Sequence, residues 1–492
     1  MKRLFAASLT FFALSAQADS VPSWINEIML GGSTTVVIKT PTVRAYQNPL
    51  ANLTTEEVER HLAGDALFEK NFSDDPTQAD YGLGPAFNNI NCAACHIRDG
   101  RGSLPVMDLS SPWTRLGTNE SIFLRISIED GAPRKFDHTD HYGAPIPVPG
   151  FSDQLFHNGS FSLRPDEPGT GQAEVWMRIE NSSFTYPDGS VLKLRKPIFK
   201  VEKPYDGDAP GGSRLFASDV KMGARMTPAM MGLGLVEAIP EKQILDLAKR
   251  DLSAWGIKGE PNWVLDQVKW MKGQLYPVSL GRFGLKANTP SVLHQSMGAL
   301  RGDVGITNPY FPDENIAGTP LFEAFKNSWK PGIEASLEIA DTLTFYSQTL
   351  AVPSRRNAED PLVQKGAVKF NEVGCALCHH PSFTTDQHEV AALRQQTIFP
   401  FSDFLLHDMG EDLADGRTDF RASGRQWKTR PLWGIGVSQV VNPRGGFLHD
   451  GRARTLEEAV IWHDGEARRS KTLFSQLPKA DRDALILFLK SL

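Results

Sequence analysis

Apolar residues fall along this chain in three patterns. Residues 4–14 form a largely apolar run behind Lys2 and Arg3, closed by Ser15-Ala16-Gln17-Ala18, which supplies small residues of the kind a signal peptidase reads. The run falls short of the ~20 residues that cross a bilayer, and no later segment is long and apolar enough to do so. Export is therefore expected, with residues 1–18 removed and no membrane span in the mature protein.

Elsewhere the apolar positions recur at helical spacing. Thr54-Thr55-Glu56-Glu57 reads as a capping box that opens a helix to about residue 70. Further helices are expected near 240–252, 289–300 and 335–350. Ala367, Phe370 and Val373 share a helical face leading into Gly374-Cys375. Leu485, Phe488, Leu489 and Leu492 lie at i, i+3, i+4 and i+7 and predict an amphipathic helix that closes the chain. The third pattern is strand-like. Two runs, 174–186 and 190–196, flank Pro187-Asp188-Gly189 and predict a β-hairpin. Segments 71–95, 97–170 and 206–213 read as loops, the second especially rich in Gly, Pro and Asp, and 353–360 reads as a linker.

These patterns predict a mainly α protein with long loops and a small inserted β-hairpin. An N-terminal domain over 19–352 would carry the insertions, and a C-terminal domain would occupy 353–492.

Composition changes this picture little. The chain is ordinarily globular, 40% hydrophobic and 22% charged. Its formal net charge is −6, and loss of Lys2 and Arg3 makes it more negative by two. Nucleic acid is excluded as a partner, because phosphate binding rests on a basic patch. The acidic balance suits solubility and the docking of a basic redox partner.

The cysteines change it most. All four fall in two motifs, Cys92-Ala93-Ala94-Cys95-His96 and Cys375-Ala376-Leu377-Cys378-His379. A disulfide framework gives no reason for a His after each second Cys. A four-Cys zinc site would keep its pairs some twenty residues apart, whereas these are separated by more than half the chain. In Cys-x-x-Cys-His the two thiols add to the vinyl groups of one haem, and the adjacent His lies beneath the iron. Cys92, Cys95 and His96 would hold one covalently bound haem c, and Cys375, Cys378 and His379 another. Such attachment needs a periplasmic assembly system, in keeping with the leader. The helix before the second motif and the terminal helix suit a cytochrome c-like packing, so two cytochrome c-like haem domains are expected.

A faint internal repeat accompanies them. Pro228-Ala229-Met230-Met231-Gly232-Leu233-Gly234 is similar to Pro431-Leu432-Trp433-Gly434-Ile435-Gly436. Each follows its own haem motif and precedes a Thr-started segment, at Thr289 and at Thr455.

The C-terminal half carries a wider resemblance. Leu405-Leu406-His407-Asp408-Met409-Gly410, Leu413-Ala414-Asp415-Gly416, Trp427 through Gly434, and the run from Phe447-Leu448-His449-Asp450-Gly451-Arg452 to Ala459 resemble the di-haem oxidoreductase family. That family is also called thiol oxidoreductases and is related to bacterial di-haem cytochrome c peroxidases. Gly281-Arg282-Phe283-Gly284 and Gly302-Asp303-Val304-Gly305-Ile306-Thr307 extend the resemblance to most of the chain from about residue 80. The thiol label finds no free cysteine for disulfide exchange once the haems are attached.

The resemblance implies a peroxidase-like oxidoreductase in which a C-terminal haem relays electrons to a reactive N-terminal one. It places the sixth ligand of the C-terminal haem at His463, in Ile461-Trp462-His463-Asp464, and a distal amide and carboxylate at Gln295 and Asp303. The carboxylate spacing is shifted by about two residues from the relatives, and Arg282-Phe283-Gly284 stands where relatives place Trp-Asp-Gly. His449 would be structural or contact a propionate. For the sixth position of the N-terminal haem the candidates are His138, His141, His157, Met230 and Met297, while His61, His380, His388 and His407 read as ordinary. The partners implied are a small periplasmic donor, a cytochrome or copper protein, and a small oxidant such as peroxide. A calcium ion bridges the domains in some relatives, and nothing in this sequence speaks for one. The alternative is a non-catalytic di-haem electron-transfer protein.

Overall fold

The computed structural model describes residues 21–75, 77–78, 81–117, 120–132, 134–160, 171–327 and 332–492. The expected leader, 1–18, lies outside the described residues. Six helices organise the site: α1 (Thr55–Glu69), α2 (Val292–Ala299), α3 (Leu337–Gln348), α4 (Pro361–Glu372), α5 (Leu456–Trp462) and α6 (Lys479–Ser491). The capping box forms as expected, with the Thr54 hydroxyl accepting from Glu57 N–H and the Glu57 carboxylate accepting from Thr54 N–H. Ser291 and Ser336 cap α2 and α3 with the hydroxyl alone, which accepts from His294 N–H and Ile339 N–H. Beyond Ala299, α2 runs on as one π-helical turn, Leu300–Val304.

The expectation of a mainly α protein is corrected. The chain is 32% helical and 18% strand, with six small sheets among the described residues. Four strands account for most of the difference: β1 (Ile122–Ile128), β2 (Glu174–Thr185), β3 (Val191–Glu202) and β4 (Val220–Met226). β2 and β3 are the expected hairpin, with β3 running past the expected end at 196. β1 lies inside the stretch taken for loop and pairs antiparallel with β4, Ile122 opposite Met226 and Ile128 opposite Val220. Its alternate residues Ile122, Leu124 and Ile126 are buried with Phe151, Leu155 and Met177 in a core made by strands and loops. The flanking Gly, Pro and Asp disguised a strand whose period-2 apolar positions have their own core to fill.

The two helical cores are built on close backbone approach. In the C-terminal one, α4 crosses α6 at Gly366, where a Cβ would stand 1.9 Å from the Ala484 carbonyl oxygen. Phe370 then meets Phe488 at 5.1 Å between ring centroids. Ala367, Phe370, Val373, Leu485, Phe488, Leu489 and Leu492 are all buried, as the helical spacing predicts. Trp24 joins them, 5.2 Å from Phe401 and 5.6 Å from Phe488, so the start of the described chain is packed into the C-terminal core. Each such large side chain contributes about 1.5–3 kcal/mol by leaving water. In the N-terminal core, α1 meets α3 at Gly64, where a Cβ would lie 2.5 Å from that of Tyr346. Phe68, Met297, Leu343 and Tyr346 fill that contact.

The repeated turns do pair in space. Gly232 (φ 74°) starts one helical turn and Gly434 (φ 70°) another. A Cβ on Gly232 would strike the Trp433 ring at 2.5 Å, and one on Gly434 would strike Met231 at 2.9 Å. The two turns pack face to face between the helical cores. Among the described residues, no helix is long and apolar enough to cross a membrane.

Candidate functional site

Both Cys-x-x-Cys-His segments open onto one cavity of about 930 Å³. Cys92–Cys95 is a single helical turn, capped by the Asn91 side chain, whose oxygen accepts from Ala94 N–H at 2.6 Å. The second motif starts at Gly374 (φ 83°), where a side chain would collide with the Trp255 ring. All four thiols are unpaired. Burial pushes Cys92, Cys95 and Cys375 up to about 12 and also raises Cys378, so all four stand as neutral thiols in the cavity wall.

The two motif histidines are held alike. His96 Nδ1–H donates to the Pro228 carbonyl at 2.8 Å, and His379 Nδ1–H to the Phe401 carbonyl at 3.0 Å. Each bond fixes the tautomer and leaves Nε2 with its lone pair for a metal. Burial first of all depresses both to about 4, so both rings are neutral. A phenylalanine from the preceding helix flanks each ring: Phe68 lies 6.0 Å from His96 and Phe370 6.2 Å from His379.

A third histidine shares this arrangement. His463 follows directly on α5, lines the same cavity, and donates from Nδ1 to the Ala459 carbonyl at 2.7 Å. Its basicity is lowered by burial, and it stands close enough to His379 to depress that ring in turn. The C-terminal pocket therefore holds two neutral imidazoles with free Nε2 atoms.

The N-terminal pocket is different. Gln295 and Asp303 line the cavity together with the Cys92–His96 turn. Gln295 lies on α2 and its Oε1 accepts from the Thr289 hydroxyl at 2.8 Å. Thr289 thus serves the glutamine, and Ser291 rather than Thr289 starts the helix. Asp303 lies on the π turn. Its Oδ1 accepts from Gln154 Nε2 at 2.9 Å and faces Arg125 at 3.7 Å. Burial raises the Asp303 carboxyl, against the lowering pull of Arg125 and Gln154. The sequence reading missed Arg125 and Gln154, which carry no motif and reach the site only through the β1 pairing.

The cavity also holds cations suited to an anionic group. Arg101, Lys428 and Arg430 line it, and among the described residues none has a carboxylate ion-pair partner. Burial lowers Arg101 to about 10 and Arg430 to about 9, and pushes Lys428 well below its ordinary value. Arg101 and Arg430 are half-buried, while the buried Lys428 donates to the Arg282 carbonyl and Arg101 to the Gly446 and Leu448 carbonyls; basic groups without carboxylates fit the propionates of a haem. Thiols, Nε2 lone pairs and cations together make the donor set of two haem groups.

Other candidates fall as follows. His138 and His141 are exposed, and Met297 is buried in the apolar core. His157 is half-buried with Nδ1 bonded to Asn88 at 2.8 Å. Of the five residues considered for the N-terminal sixth position, Met230 is the one that lines the cavity. His449 is buried and stacked on Trp427, 3.9 Å between centroids with 14° between planes. Arg282 donates to the carbonyls of Val236, Glu237 and Ile239 and so ends a helix. His407, read as ordinary, is not. It lies between Asp403 Oδ2 at 3.0 Å and Glu466 Oε2 at 2.7 Å, beside Cys378. Burial alone would depress it, but the facing Asp403 carboxylate holds it well above the usual imidazole value, a buried imidazolium. Cys378, Asp403 and His407 also converge closely enough to resemble a metal site; here the sulfur belongs to the haem motif and the imidazole is already paired.

The family model described as "Di-haem oxidoreductase, putative peroxidase" matches residues 24–492. No curated protein matches the chain. Among solved structures, the hydrazine synthase of Kuenenia stuttgartiensis matches at 18% identity over 36% of this chain and 63% of that one, with a TM-score of 0.24.

Proposed function

Because the chain belongs to the di-haem oxidoreductase family, we propose that it is an exported, peroxidase-like c-type protein with one pocket for electron transfer and one for reducing a small oxidant. Cys92 and Cys95 would bond one haem, with His96 as its proximal ligand. Cys375 and Cys378 would bond the other, with His379 and His463 as the imidazoles that would hold its iron. Arg101, Lys428 and Arg430 would meet the propionates. Bound there, the haems supply one-electron redox chemistry and, in the N-terminal pocket, an iron open to peroxide.

The remaining work falls to side chains. Asp303 takes a proton from peroxide at its cavity-facing carboxylate and returns it to the departing oxygen. Gln295 presents its amide N–H groups to the oxidant, because the Thr289 hydroxyl occupies its oxygen. Hydrogen peroxide, two electrons and two protons become two waters. The electrons come from a small periplasmic cytochrome or copper protein and enter through the His379/His463 pocket. Periplasmic location rests on the leader at residues 1–18 and on the assembly that thioether formation requires.

The observation that carries this reading is the inequality of the pockets: paired imidazoles in one, imidazole against carboxylate and amide in the other. Covalent attachment is tested by the mass of denatured protein from a cytochrome-maturing host. Two haem increments are expected, and the pairs Cys92→Ala/Cys95→Ala and Cys375→Ala/Cys378→Ala should each lose one. A denatured chain of bare processed mass would overturn the proposal.

A further inference from the structure

Asp303 is held from one side by two residues that come from a single backbone bridge. Arg125, on β1, and Gln154 are antiparallel bridge partners, so their side chains arrive together. Gln154 is fully buried, and its Nε2 donates to Asp303 Oδ1, to the Gly302 carbonyl at 3.3 Å and to the Asn88 side chain. Arg125 divides its guanidinium between two carboxylates, with Nη1 3.5 Å from Asp153 Oδ2 and Nη2 3.7 Å from Asp303 Oδ1. Both distances are long for charged hydrogen bonds, so the guanidinium is committed fully to neither. Arg125, Asp153 and Asp303 all line the cavity, and the backbone around them is fixed by Asn88 and Asn89 N–H groups, which donate to the Asp303 carbonyl.

We infer that Arg125 and Gln154 form a clamp that positions the Asp303 carboxylate towards the cavity, with Asp153 as the competitor that sets how much of the Arg125 charge Asp303 receives. This inference rests on the reading of Asp303 as the proton carrier. A carboxylate in a dry cavity with no cation beside it stays protonated and accepts nothing; the shared guanidinium keeps it able to give and take a proton. The charged and titratable groups around it are Arg125 on β1, Asp153 on the neighbouring loop, Arg417 and Arg301 acting on Asp153, and Cys92 and Cys95 in the same cavity. The two cysteines no longer titrate once they are thioethers. Arg125 and Gln154 are positioning residues, acting through Asp303.

The test uses the oxidised holoprotein and the pH dependence of cyanide association, because hydrogen cyanide must surrender its proton to a base in the pocket before it binds. Arg125→Gln should move the acid limb up by roughly one pH unit. Arg125→Lys should restore most of the wild-type position. Asp153→Asn, which frees Arg125 for Asp303 and removes a like charge, should move the limb down, and it keeps the test alive if Arg125→Gln does not fold. Asp303→Asn should abolish the limb. If Asp303→Asn abolishes it while Arg125→Gln and Asp153→Asn leave it in place, the clamp is wrong and the Asp303 reading stands. If Asp303→Asn leaves the limb unchanged, both fall.

Discussion

The two haem pockets are alike on one side and unlike on the other. On the motif side the parallel is close: a short turn bearing two thiols, a His whose Nδ1–H is spent on a backbone carbonyl, and a Phe from the preceding helix about 6 Å away. Elsewhere in its lining the C-terminal pocket offers His463, prepared like the other two imidazoles. The N-terminal pocket offers Asp303, Gln295, Gln154 and Arg125. On the proposed reading, a common attachment device serves opposite ends. Two nitrogen donors close an iron and make it suited to exchanging electrons, whereas a proton-active carboxylate beside a free position suits an iron that meets substrate.

The largest expected change comes from making the closed pocket open. His463→Ala should convert the C-terminal low-spin signal completely to high-spin, measured by electron paramagnetic resonance; an unchanged spectrum removes His463 as a ligand. Next is Asp303→Asn, which should lower peroxide turnover by about 10²–10⁴ while the C-terminal signal stays as it was. Equal loss in both would mean damage to the fold rather than to a proton path.

A third test concerns a feature the N-terminal pocket lacks, the His407 imidazolium. His407→Gln leaves the half-buried Glu466 without its cation and the buried Asp403 with only the more distant Arg250 at 3.9 Å, and should cost about 3–5 kcal/mol at neutral pH, read by chemical denaturation. The pH dependence has a definite sign. His407 is raised by folding, so its contribution is complete below the ordinary imidazole value and fades only as pH climbs through its higher folded value. Glu466 is depressed to about 2, burial being outweighed by His407, so its contribution holds above the ordinary carboxylate range and is lost as pH falls towards 2. The stability difference between wild type and His407→Gln should therefore be greatest between those limits; a difference flat across pH would contradict the buried charge. Smallest is Thr289→Val, which frees the Gln295 oxygen from its hydroxyl. About 1 kcal/mol of orientation, or roughly fivefold in turnover, should be lost.

Much of the C-terminal half was legible because its signals are local. Ala367, Phe370 and Val373 needed only helical spacing, and Cys375-Ala376-Leu377-Cys378-His379 only adjacency. The Thr54 capping box and the hairpin around Asp188 are equally short-range. What stayed hidden depends on long-range pairing. β1 sits among Gly, Pro and Asp, and its alternation at Ile122, Leu124 and Ile126 was outweighed by that company. With β1 unseen, Arg125 and Gln154 could not be brought to Asp303. His407 was hidden for another reason: nothing local announces that Asp403 and Glu466 converge on it. The mixed class of the fold follows from the same cause, since small sheets held by distant partners leave weak periodic traces.

The contrast between a closed and an open pocket is tested most directly by electron paramagnetic resonance of the oxidised holoprotein, titrated with cyanide. One low-spin signal should persist untouched through the titration while the second iron alone changes. If both irons ignore cyanide, the protein is an electron carrier without a substrate position; if both respond, His463 does not close the C-terminal pocket.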